Sequence, residues 1–160
     1  EEETMGEVTH EQVNLMLKLY DMRREPLMRE ARSWFAGNFR PASFEEMSKV
    51  APMGSKENAF ARMVISYWGM VASIVNRGLI DEEFFFENSG EQWMVWERVK
   101  PIIEEWRAAY GNPHLHEHLQ KHVEKLEAWR SKNAPDMAAA MRKMMSAPPK
   151  PAAKTKGKKK

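Results

Sequence analysis

No cysteine occurs among the 160 residues of this chain. That excludes disulfides, thiolate metal centres and cysteine nucleophiles, and it fits a reducing compartment such as the cytoplasm better than a secreted scaffold. A run of about 20 apolar residues, long enough to cross a bilayer, is also missing. The uncharged stretch from Met63 to Val75 is far too short. The chain opens on three glutamates, with no basic segment leading into an apolar one, so no signal peptide is read. Because position 1 is not methionine, an upstream segment, a membrane anchor included, is compatible with the sequence. Also absent are a Gly-x-Ser-x-Gly elbow, a Walker glycine loop, a dinucleotide fingerprint, a solenoid-length repeat and any strand pattern on which such motifs would sit.

What is present is apolar and helical. The composition is 42% hydrophobic with six tryptophans, enough for one domain with a real core. From Asn58 to Ile80 the residues Phe60, Met63, Val64, Ile65, Tyr67, Trp68, Met70, Val71, Ile74 and Val75 leave almost no polar face, which predicts a central helix sheathed by its neighbours. Ser55 caps it, and Arg77 with Gly78 ends it. The fold class expected is all-α: a single-domain bundle of about five to six helices around that segment.

The remaining helices follow from periodicity and capping. Thr9 with Gln12 forms a capping box, and Val13, Met16, Leu17, Tyr20, Leu27, Ala31 and Trp34 hold a 3.6-residue phase to Gly37, with a kink at Pro26. Ser43 with Glu46 opens a short connector to Val50. Leu79 and Ile80 dock back, and Asp81 caps a short helix through Phe84, Phe85 and Phe86, which cannot all face inward. Trp93, Trp96, Val99, Ile103, Trp106 and Tyr110 share a stripe across a second kink at Pro101. Pro113 occupies a first helical position, and Leu115, Leu119, Val123, Leu126 and Trp129 form the inner face of a helix to about Lys132. The organisation expected is a flexible lead-in over 1–8, the bundle over 9–132, a Met-rich helix over 133–146 and a disordered tail over 147–160.

Charge is divided unequally. Lys150, Lys154, Lys156, Lys158, Lys159 and Lys160 crowd a tail with no acids, so the rest of the chain is net acidic, about −4. A flexible polycation attracts nucleic acid or anionic lipid by releasing counterions, without reading sequence; no aromatic residue interleaves the lysines as a stacking platform requires. A solubilising tail is the equal alternative.

Three clusters are candidates for chemistry. His114, His118 and His122 recur every fourth residue, so two could share a metal, but His116 and Glu117 are followed by Gln120 where a zincin needs histidine, and amphipathic flanking is the favoured reading. The acids Asp81, Glu82 and Glu83, and Glu104 with Glu105, sit where helix starts and solvent faces want charge. Arg62, Ser66, Gly69, Ser73 and Asn76 form a small and polar stripe on the central helix, read first as a close approach within one monomer or a partly wet edge, and in the sharper alternative as an oligomer contact. No catalytic residue and no cofactor is assigned.

The runs RGLIDEE at Arg77–Glu83, WERVKPIIEEWR at Trp96–Arg107 and GNP at Gly111–Pro113 resemble a family of small bacterial helical proteins of unknown function, some with an N-terminal membrane anchor. The resemblance covers Arg77 to Trp129 and implies a helical fold and room for an anchor, with no catalytic residues to carry over. The expected function is a non-enzymatic scaffold or interaction module that contacts a protein partner or itself, the lysine tail adding electrostatic attraction. The alternatives are a small apolar-ligand binder around Trp68, Trp93, Trp96 and Trp106, and a metal protein using the histidine run.

Overall fold

The computed structural model describes residues 6–146, and every regular element among them is helical. In order these are α1 (His10–Arg24), α2 (Pro26–Asn38), α3 (Phe44–Val50), α4 (Lys56–Asn76), α5 (Glu82–Asn88), α6 (Glu91–Val99), a single 3-10 turn over Lys100–Ile102, α7 (Ile103–Tyr110), α8 (Glu117–Asn133) and α9 (Met137–Ser146). None of these helices is long and apolar enough to cross a membrane. The six lysines of the tail lie outside the described residues.

The chain divides into two compact units, the first reaching Leu126 and the second starting at Glu127. In the first, α4 is the organising element and packs mainly against α2, with further contacts to α5 and α6. Phe60, Val64, Trp68, Val71 and Val75 recur at helical spacing along its inner side and are all buried, as are Ala61, Ile65 and Ala72 beside them. Phe35 and Phe39 stack at 4.7 Å, and Phe60 meets Trp34 at 6.2 Å. The second unit holds the last turns of α8 and all of α9, where Arg130 Nη1 donates to Met141 Sδ at 3.6 Å and Arg142 approaches Glu127 at 3.8 Å. No residue of α9 is buried.

Capping follows the sequence closely. Thr9, Ser43, Ser55 and Asp81 accept from the backbone N–H groups of Gln12, Glu46, Asn58 and Phe84, satisfying donors that a helix start leaves unpaired. Gly78 and Gly111 adopt the left-handed conformation that ends α4 and α7. In the first capping box only the threonine half forms. Gln12 Oε1 instead accepts from the Asp81 N–H at 2.9 Å, tying α1 to the turn after α4.

Where the structure departs from the sequence reading, local sterics or phase explain it. Pro26 does more than kink a helix: Glu25, driven to extended backbone (φ −56°, ψ 136°) by the proline after it, ends α1, and its carboxylate caps α2 through the N–H groups of Leu27 and Met28. Pro101 keeps helical torsions on both sides of its 3-10 turn. In α1, Leu17 and Tyr20, expected inside, are about half exposed and Leu19 is buried; after the break at Glu25 resets the register, Leu27 is about half exposed while Met28, Ala31 and Phe35 are buried. Leu79 and Tyr110 are exposed too, and only Ile80 docks back. Pro113 precedes a turn rather than a helix, and α8 begins at Glu117 because His116 takes a positive φ of 58°. Most consequentially, α4 is not sheathed on every side. Arg62, Ser66 and Met70 face solvent, Met70 at 41% exposure.

Candidate functional site

The open side of α4 follows from spacing. Residues 62, 66, 69, 70 and 73 fall on one helical face, on which Arg62, Ser66 and Met70 are exposed and Gly69 and Ser73 half-buried. Arg62 Nε donates to Asn58 Oδ1 at 3.1 Å, Ser66 Oγ to the Met63 carbonyl at 3.4 Å, and Arg77 Nε to Ser73 Oγ at 3.3 Å. All three bonds stay within α4 and its cap, so they arrange the surface without closing it. Asn76 leaves the stripe: its amide donates to the His118 carbonyl at 3.0 Å and faces His118 Nδ1 at 3.3 Å, joining α4 to α8.

Gly69 is the telling member. Among the described residues a Cβ built there would meet nothing within 4 Å, so its smallness serves no close approach between them. Beside it runs an open groove of about 560 Å³ lined by Met22, Met28, Met63 and Met70, with Glu25 and Ser66. Met22, at 48% exposure, and Met70 present flexible thioethers there. The methionines come from three helices and meet because the Glu25 break turns the start of α2 toward α4.

On the inner side of α4, where Arg23 lies over the Trp68 ring, Glu91 accepts from Arg23 Nη2 at 2.9 Å and from Arg32 Nε at 2.9 and 3.0 Å. Arg32 Nη1 also donates to the Arg23 carbonyl. Two guanidinium groups on one carboxylate fasten α1, α2 and α6 and leave one positive charge in excess. The Tyr67 hydroxyl donates to the Leu19 carbonyl at 2.6 Å, and burial pushes its phenol up to about 12, so it stays a neutral donor. The ion cluster has no local signature, because its members are up to 68 positions apart.

The histidines do not converge. His114 is exposed and pairs with Glu117, whose carboxyl is lowered chiefly by that bond. His118 serves Asn76. His122 is fully buried against the rings of Phe85 and Phe86 at 5.6 and 5.3 Å, with Gln92 Nε2 3.3 Å from its Nε2. His116, which the spacing argument passed over, packs edge-on to Trp106 at 4.6 Å. Desolvation pulls both buried imidazoles down to about 4, keeping them neutral. Among the described residues no group of three or more metal-binding side chains is placed to hold an ion. The acids have structural partners as well: Asp81 caps α5, Glu82 meets Lys125 at 3.3 Å, Glu104 meets Arg107 at 3.3 Å, and Glu105 accepts from the Phe44 N–H.

The model of a family described as a domain of unknown function (DUF4760) matches residues 8–126, ending at the same residue as the first compact unit. No curated protein and no solved structure matches the chain.

Proposed function

We propose that this chain, which belongs to the DUF4760 family of domains of unknown function, is a non-enzymatic, cytoplasmic interaction module that associates with a second copy of itself through the open face of α4. The observation that carries the reading is Gly69. A glycine in mid-helix costs about 1 kcal/mol relative to alanine, and among the described residues no neighbour occupies the space a Cβ would take. A second helix crossing at Gly69, Ser66 and Ser73 supplies a use for that space. The methionines flanking it can adjust to a neighbouring copy, and a two-fold axis brings the same patch against itself. A stable contact needs about 1,000 Å² of buried surface, which asks for the methionine groove as well as the small-residue stripe.

Catalysis has little support, since the candidate acids and histidines are tied into caps, ion pairs and the core. The lysines from Lys150 to Lys160 add salt-sensitive attraction to nucleic acid or anionic membrane. Light scattering over about 1–100 µM tests the association: the chain should run as a dimer at the upper end, and Met70→Glu as a monomer with unchanged helicity. A monomer throughout for the unaltered chain would contradict the proposal. Deleting residues 147–160 should abolish retention on DNA or anionic vesicles at low salt without affecting dimerisation.

A further inference from the structure

A second feature shares Tyr67, and no other lining residue, with the methionine groove. Between α1, α4 and α5 is a pocket of about 210 Å³, half open to solvent, whose walls are mostly apolar: Leu17, Leu19, Tyr20 and Phe85. Arg23 and Trp68 line the same pocket, the Arg23 Cζ lying 5.1 Å from the centre of the indole. Arg23 commits Nη2 to Glu91, yet its Nε, enclosed by protein, has no acceptor among the described residues. The indole Nε1 of Trp68, a residue only 1% exposed, is likewise buried without an acceptor.

Buried donors in native proteins are paired, so two orphans on adjoining side chains in one pocket wall call for an acceptor. The acceptor chemistry follows from charge. Arg23 and Arg32 share a single carboxylate, Glu91, so the cluster keeps an excess positive charge behind an apolar chamber. An anion with planar oxygens matches a guanidinium better than a neutral carbonyl does. The size of the body follows from the volume: a cavity of roughly 150 Å³ accommodates benzene, so this one holds an aromatic ring or a short alkyl chain with an acid group. Both donors are enclosed, so an acid reaches them only with a shift of the pocket wall, of which Leu17 and Tyr20, about half exposed, are the members with most room to move.

We propose that this pocket binds a small amphipathic carboxylate, an aryl or short alkyl acid, with its oxygens on Arg23 and Trp68 and its apolar body among Leu19, Tyr20 and Phe85. The site is separate from the open face of α4 and does not depend on self-association.

The probe is 3-phenylpropanoate, compared with the neutral alcohol 3-phenylpropanol, titrated calorimetrically into the full chain. The acid should bind saturably with one site per chain and shift the indole N–H resonance of Trp68, assigned by its loss in Trp68→Phe. The alcohol should bind at least about tenfold more weakly. Arg23→Lys, which keeps the charge and loses the Nε donor, should weaken the acid about tenfold. Leu17→Glu alters an exposed side chain at the pocket and should repel the acid, with an unchanged melting temperature. No saturation by about 10 mM, equal binding of acid and alcohol, or a Leu17→Glu chain that binds like the original would overturn the proposal, whether or not Arg23→Lys folds.

Discussion

The two faces of α4 share one backbone and differ in everything else. Inward, Phe60, Val64, Trp68, Val71 and Val75 are closed in by α2, α5 and α6, and each is at most 5% exposed. Outward, Arg62, Ser66, Gly69, Met70 and Ser73 make only bonds internal to the helix or none, and the nearest neighbours leave an open groove. The inner face is what the monomer needs in order to fold. The outer face, with a mid-helix glycine that none of the described residues crowds, is the part of the helix for which folding alone gives no reason.

Adjacent residues should therefore respond very differently to the same kind of change. Val71→Asp buries a carboxylate with no partner and should cost more than about 3 kcal/mol, enough to leave the chain largely unfolded by circular dichroism. Met70→Glu, one position earlier, should change monomer stability by no more than about 0.5 kcal/mol while removing self-association. Equal destabilisation by the two would break the comparison.

Acid should find the weak point of the closed interior next. His116 and His122 are held down to about 4 by burial, below the value of about 6.5 expected in an unfolded chain. As pH falls the unfolded state takes up protons first. The stability is thus fully present above about pH 6.5 and is lost progressively down to about pH 4, by on the order of 1–3 kcal/mol per histidine. Urea melts across that range should show the loss, and His122→Gln should reduce its slope. A flat profile would mean that neither ring is enclosed as described.

The smallest effect belongs to the outer face. Gly69→Ala adds a methyl into open space and should stabilise the monomer by about 0.5–1 kcal/mol through helix propensity alone. A loss of stability in thermal melts would instead place Gly69 against something in the monomer.

These contrasts also show what the sequence made legible. The caps at Thr9, Ser43, Ser55 and Asp81, the stop at Gly78 and the buried stripe of α4 were all readable, because each depends on residues a few positions apart. The inward phase of α1 was not. Leu15, Met16, Leu17, Leu19 and Tyr20 offer apolar side chains in several directions, and the choice among them rests on distant partners such as the Tyr67 hydroxyl on the Leu19 carbonyl. The Glu25 break was signalled by its proline, but the carboxylate cap that stabilises it replaced a kink with two helices. The stripe on α4 was visible, although only the structure separated Asn76, which serves α8, from the outward members. The histidine run pointed to a shared site because spacing ignores the turn at His116, which leaves His114 off α8, and ignores the neighbours that claim His118 and His122 separately, Asn76 and Gln92. Glu91 with Arg23 and Arg32, and the orphan donors beside them, had no short-range signal at all.

The absence of cysteine allows the central claim to be tested directly, since a single introduced thiol is the sole one in the chain. Ser66→Cys on the open face of α4, oxidised at a concentration where the chain associates, should give a disulfide-linked dimer on a non-reducing gel, while Lys100→Cys, also at an exposed position, should stay monomeric. Equal crosslinking of the two, or none at Ser66→Cys, would contradict association through this face.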